Sequence, residues 1–186
     1  MLAFNAHAEA AGPVCDTRKN VSPSESQLRD VGKFVMVSHQ PTQDGFIWPT
    51  YGEVESAFGL RIHPIKKTEI KHTGLDISGA KGTPVVSAKA GVVLVSAGSC
   101  KQGRKKCNGG AGNLIEISHE DGAITRYLHL SQSCKLPKAG TQIARGEKIG
   151  CVGSTGGVTG PHLHFEVLKK GNYVDPETIL PKKGFI

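Results

Sequence analysis

From residue 69 onward, apolar and polar side chains alternate with a period of two in short runs separated by glycine-containing turns, the spacing of half-buried strands rather than of helices. The run 69–78 comes first, 83–88 and 91–97 are rich in β-branched residues, and 113–119 sets Leu114, Glu116 and Ser118 against Ile115, Ile117 and His119. Glu120, Asp121 and Gly122 predict a hairpin turn, because Asp-Gly tolerates the positive φ such a turn needs, and 123–130 returns as the partner strand. Glycines at 140, 146, 150 and 153 around Ile149 and Val152 predict a tight loop and a short strand. Residues 154–160 then form a glycine-rich approach to a last strand at 162–165, suited to close passage of a substrate backbone. No long stretch carries helical apolar spacing, so the expected fold is mostly β.

Residues 1–45 lack this pattern. They are polar, are broken by Pro13, Pro23 and Pro41, and hold one helix-start signal, at 24–28. We read 1–45 as an N-terminal extension and 46–186 as one domain, which suits a chain of 186 residues with 24 glycines and few aromatics. The first ten residues lack the basic and apolar regions of a signal peptide, although 6–8 and 8–10 resemble small-residue cleavage sites; they read as a trimmed remnant or as a flexible tail. No apolar run approaches the roughly 18 residues of a membrane span.

Alternation also sorts the histidines. On a strand, His162 and His164 point one way while Leu163 and Phe165 point the other. By the same rule Tyr127, His129 and Ser131 share one face and Leu128 and Leu130 the other, so His129 is expected to face away from the apolar layer. Any one of the eight histidines would ordinarily be a surface or hydrogen-bonded residue. Taken with His72 and Asp76, however, the set supplies the nitrogen and oxygen ligands that Zn²⁺ accepts, and a catalytic zinc needs only three with one position left open. There is no His-Glu-x-x-His helix, so the glutamate base of that design is absent.

Charge and cysteines narrow the surroundings. The net charge of +7 favours polyanionic partners. Nucleic acid is a poor fit, since no helix-turn-helix, paired-cysteine finger or interleaved basic and aromatic stretch is present. The five cysteines, at 15, 100, 107, 134 and 151, lack metal-ligand spacing and point to an oxidising compartment. Cys100 and Cys107 bracket a basic run, so we expect them to pair, with Cys134 joined to Cys151 and Cys15 left over; the spacing alone leaves other connectivities open.

Four segments in order carry a resemblance. The run 58–64, His72-x-x-x-Asp76, the 127–131 histidine strand and His162-x-His164 resemble the lysostaphin-like, or LytM-type, zinc peptidases that cut bacterial peptidoglycan, over roughly residues 48–181. The resemblance implies an antiparallel β-sheet core of the duplicated-hybrid-motif kind, a Zn²⁺ cofactor held by His72, Asp76 and His164, and catalytic roles for His129 and His162. One of these two would take a proton from metal-activated water while the other supports the oxyanion, in an order the sequence leaves open. It further implies a periplasmic or secreted monomer acting on peptidoglycan peptides, with Arg61 and Asn113 as substrate-binding candidates and an extension that could cover the site. The competing reading is a non-catalytic LytM-type regulatory or scaffold domain.

Overall fold

The computed structural model describes residues 45–62 and 69–182. Cys15, the helix-start signal at 24–28 and all but the last residue of the 1–45 extension lie outside the described residues.

Among the described residues twelve short strands make the architecture: β1 (Val54–Ser56), β2 (Gly59–Ile62), β3 (Glu69–His72), β4 (Leu75–Ser78), β5 (Pro84–Val86), β6 (Gly91–Ala97), β7 (Asn113–Ser118), β8 (Ile124–Leu130), β9 (Gln142–Ile143), β10 (Lys148–Cys151), β11 (His162–Lys169) and β12 (Asn172–Val174). The main sheet runs β1-β4-β11-β8-β7-β6-β9, with β12 also paired to β11, while β10 pairs β5 and β2 pairs β3 in two small sheets. Every pairing is antiparallel. The fold is thus the mostly β, antiparallel one expected.

One apolar cluster joins the layers. Leu75 and Ile77 of β4, Ile115 and Ile117 of β7 and Leu163, Phe165 and Val167 of β11 pack with Val85 of β5 and Ile149 of β10, beneath Phe46 and Trp48. Alternation places Leu163 and Phe165 in that core, both fully buried, and leaves His162 and His164 on the opposite face of β11. Trp48 ties the segment before β1 to the segment after β12: its indole N–H donates to the Pro181 carbonyl at 2.8 Å.

Two sequence expectations need correction. The run 69–78 is two strands in different sheets, separated at Thr73 and Gly74. In β8, Tyr127 does not share a face with His129: Tyr127 is fully buried in the core beside Phe165, at 5.3 Å between ring centroids. The cause is a bulge. Asn113 pairs with Leu130 but Ile115 with Tyr127, so β8 spends one residue more than β7 over this stretch. His129 absorbs it in the left-handed region at φ 63°. Leu128 and His129 therefore both line the cleft, while Tyr127 and Leu130 both face the core.

Both expected disulfides are present, Cys100–Cys107 and Cys134–Cys151. The first closes the basic loop before β7; the second fastens the segment after β8 to β10.

Candidate active site

Strands β4 and β11 run in register with Asp76 opposite His164 and Ser78 opposite His162. Directly opposed residues on an antiparallel pair project from the same face, so the carboxylate and the imidazole meet: His164 Nδ1 lies 2.7 Å from Asp76 Oδ1. His72 arrives from the end of β3. The chain turns at Thr73 and Gly74 before β4, and this turn brings His72 Nε2 to 3.1 Å from His164 Nδ1 and 3.2 Å from Asp76 Oδ1.

Three donor atoms thus form a triangle with edges of 2.7 to 3.2 Å. A tetrahedral zinc with bonds of about 2.0–2.1 Å separates its ligands by roughly 3.3 Å, so the donor set and its spacing fit that ion. The remaining ring nitrogens are already committed. His72 Nδ1–H donates to the Ala57 carbonyl at 2.7 Å, which leaves Nε2 as the lone-pair nitrogen. His164 Nε2 donates to Glu166 Oε1 at 3.1 Å, which aims Nδ1 at the cluster. Outer partners of this type fix tautomer and ring orientation in metal sites.

The charges agree with this. Asp76 resists ionisation through burial, yet the His164 and His72 imidazoles against it outweigh that and hold its carboxyl far below the usual carboxylate range. Burial works against the charged form of His164 too, but Asp76 and Glu166 on its two nitrogens raise its pKa above the ordinary imidazole value. Two carboxylates facing two imidazoles make a pocket that attracts a cation.

His129 and His162 stand beside this cluster, their rings 5.1 Å apart, with His129 5.9 Å from the His164 ring. Each is anchored through Nδ1–H to a backbone carbonyl, His129 to Thr155 at 2.9 Å and His162 to Gly160 at 3.1 Å. Each therefore keeps Nε2 as the free nitrogen. His162 Nε2 sits 3.7 Å from Asp76 Oδ1. Burial, reinforced by the neighbouring His162, pushes the His129 pKa down to about 4, so its imidazole is neutral at physiological pH. The 153–155 segment approaches β8 closely enough to accept from His129 because residue 153 is glycine: a Cβ there would fall 2.4 Å from the Ser131 nitrogen and 2.6 Å from the His129 carbonyl oxygen.

The cleft is a hollow of about 580 Å³ lined by these histidines, Asp76, Arg61 and the 108–111 and 157–159 loops. Arg61 is at its rim, donating to Ser56 Oγ at 2.7 Å and lying 3.7 Å from Asp76 Oδ2, with its side chain nearly half exposed. A second hollow of about 660 Å³ lies near Gly91 and Ile143. Its histidine, His119, spends both nitrogens on the Ala90 carbonyl and Thr125 hydroxyl, so we assign it no chemistry.

Asn113 is not in the cleft. Its side chain is fully buried, with Oδ1 accepting from the Cys100 N–H at 2.7 Å and Nδ2 donating to the Cys100 and Leu130 carbonyls at 3.1 and 3.2 Å. The substrate contact expected of it gives way to a structural one. Glu166 carries no motif signal in the sequence, yet it follows His164 by two residues on the same face of β11.

Similar proteins are consistent with this geometry. The chain is 42% identical over 129 residues to the DD-carboxypeptidase/endopeptidase Mpg of Neisseria meningitidis serogroup B, covering 69% of this chain and 27% of that protein. It is 40% identical over 115 residues to the peptidoglycan DD-endopeptidase ShyA of Vibrio cholerae, covering 62% and 24% respectively. The chain thus spans about a quarter of the length of these relatives. Among solved structures, a zinc-containing peptidase from Vibrio cholerae aligns with a TM-score of 0.59 at 36% identity over 72% of this chain and 41% of its own. The catalytic domain of lysostaphin from Staphylococcus simulans aligns with a TM-score of 0.56 at 30% identity over 68% of this chain and 90% of its own. The pattern of peptidase family M23 matches residues 70–176, more than half of the chain, and the chain belongs to that family.

Proposed function

We propose that this chain is a zinc-dependent endopeptidase that hydrolyses peptide crosslinks or stem peptides of bacterial peptidoglycan. The observation that carries the reading is the convergence of His72 Nε2, Asp76 Oδ1 and His164 Nδ1 at one point, with all three donors within 4.8 Å of one another, beside two further imidazoles whose Nε2 atoms are uncommitted. Those three residues would hold the metal. Zinc in that position supplies Lewis-acid polarisation of the scissile carbonyl and activation of the attacking water.

The chain's own residues supply the proton transfers. His129, neutral because it is buried, accepts a proton at Nε2, while its Nδ1–H stays fixed on Thr155. His162 presents Nε2 to the oxyanion and hydrogen-bonds it when protonated there. Such acid-base assistance typically contributes about 10²- to 10⁴-fold. Arg61 at the rim is placed to pair with a substrate carboxylate, which a guanidinium grips in bidentate fashion.

The names of the relatives support a peptidoglycan substrate, and the two disulfides support a periplasmic or secreted setting. Among the described residues no helix is long and apolar enough to cross a membrane. The domain at 46–186 carries this activity. The test is mass spectrometry of fragments released from purified sacculi, with and without a chelator. New amino and carboxyl termini at peptide crosslinks that vanish on chelation are expected. Intact sacculi with a zinc-loaded protein would instead favour a non-catalytic regulator.

A further inference from the structure

We propose that Glu166, clamped by Arg126 and Thr73, is the positioning residue that holds His164 in its metal-binding orientation, and that Thr73 and Gly74 are shaped to receive it. The inference rests on the zinc reading of the site. Glu166 is only 3% exposed, and both its oxygens are spoken for. Oε1 accepts from His164 Nε2 at 3.1 Å and from the Thr73 hydroxyl, whose residue directly follows His72. Oε2 accepts from Arg126 Nη1 at 2.6 Å. Arg126 is itself held by Glu116 at 2.7 Å and by the Tyr173 hydroxyl at 3.1 Å.

A plain cross-strand ladder would explain part of this. Glu116, Arg126 and Glu166 sit directly opposite one another on β7, β8 and β11, and opposed charges of this kind stabilise sheets by themselves. Two observations exceed it. The Glu166 side chain is 4% exposed against 22% for that of Glu116, although an exposed pair to Arg126 would serve a ladder equally well. Burying a carboxylate is costly unless its partners are specific, and the added partners here are the imidazole of one metal-ligand candidate and the neighbour of another. Residue 74 is the second observation. A Cβ there would lie 2.4 Å from the Phe165 carbonyl, 2.8 Å from Glu166 Cγ and 3.0 Å from His164 Nε2. Only glycine leaves room for the His164–Glu166 bond, so the two residues between His72 and Leu75 both serve Glu166.

The experiment is a chelator-competition titration of Zn²⁺ affinity on purified protein carrying Glu166→Ala, Glu166→Gln or Glu116→Gln, alongside thermal unfolding of the metal-free forms. Removing an outer partner of a metal-ligating histidine typically weakens binding about 10- to 100-fold. That loss is expected for Glu166→Ala, with Glu166→Gln intermediate because its carbonyl still accepts from Nε2–H, and with Glu116→Gln within about twofold of wild type. If Glu166→Ala does not fold, Glu166→Gln against Glu116→Gln decides. Equal drops in unfolding temperature for those two with unchanged zinc affinity would reduce Glu166 to a strand-pairing residue and overturn the proposal alone. A wild-type protein with no zinc affinity would overturn the functional reading and this proposal together.

Discussion

Asp76 and His164 face each other across β4 and β11 in regular antiparallel register, whereas His129 reaches the same cleft from a bulge and His162 from the first residue of its strand. The two sides are fastened differently. On the metal side His72 is tied to the Ala57 carbonyl, but His164 is held by a side chain: Glu166 holds it, and Arg126 and Thr73 hold Glu166. On the other, each imidazole is tied only through Nδ1–H to a backbone carbonyl. The metal side needs fixed convergence of three atoms, while a group that takes and returns a proton needs one nitrogen left free. It follows that the two sides should be separable by mutation.

The largest effect should come from the metal side. His164→Ala or Asp76→Ala removes one of the three proposed ligands and leaves the others near an uncompensated charge. Zinc content should fall to background, and with it several kcal/mol of transition-state stabilisation, about 10³-fold or more in kcat. Elemental analysis beside muropeptide release checks both. Retained zinc with lost activity would erase the distinction between the sides.

His129→Ala should do the reverse, keeping zinc and lowering kcat by about 10²- to 10⁴-fold. Its unfolding temperature should fall modestly, since the Thr155 carbonyl loses its donor and alanine is no easier than histidine to hold at φ 63°. Zinc loss in this variant would mean that the bulge, and not the ligands, organises the cleft.

The same contrast decides what the sequence made legible. His162 and His164 were readable because strict alternation survives on β11, and the burial of Leu163 and Phe165 follows from the same rule; Asp76 was readable from its place in the His72-x-x-x-Asp76 motif. His129 was placed on the cleft side, but by a rule that fails there. Alternation grouped it with Tyr127, which is in the core, and a single extra residue in β8 restores His129 to the cleft. A bulge is a mismatch between two strands, so the pattern within one strand cannot show it. Asn113 misled for a related reason: its partners Cys100 and Leu130 lie 13 and 17 residues away, and a polar residue after Gly112 reads locally as a surface contact. Glu166 read as an ordinary strand polar until Arg126 and Thr73 were brought against it. β1 is too short to show alternation, and in β2 Leu60 and Ile62 alternate with Arg61 over only four residues; each strand forms on the backbone edge that another offers.

Acidity gives a gentler test of the histidine side. The His129 pKa lies near 4, lowered chiefly by burial from an ordinary 6.5. As pH falls through about 4 its Nε2 becomes protonated and can no longer accept, so the acid limb of kcat/KM assigned to this base should lie well below the usual histidine range. The sign for stability follows from the same shift. Between pH 6.5 and 4 the unfolded chain binds a proton at this position that the folded one does not, so the metal-free protein should lose stability across that window as pH falls. In His129→Ala that part of the loss should disappear. A limb unmoved by the substitution, in the residual activity, would assign it to another group.

Asn113→Ala should have the smallest effect on catalysis and tests the boundary of the site. Its amide satisfies the Cys100 N–H and two carbonyls inside the fold, next to the disulfide that closes the basic loop. Truncation takes the side-chain partner from the Cys100 N–H and carbonyl, while the Leu130 carbonyl keeps the Thr155 hydroxyl, at a cost of about 2–4 kcal/mol, which for a domain of this size lowers the unfolding temperature by roughly 10 °C. Below that temperature KM and kcat should stay within about twofold of wild type, because no atom of the side chain reaches the cleft. A rise in KM at full stability would return Asn113 to the substrate and would mean that the loop closed by Cys100 and Cys107 opens when substrate binds.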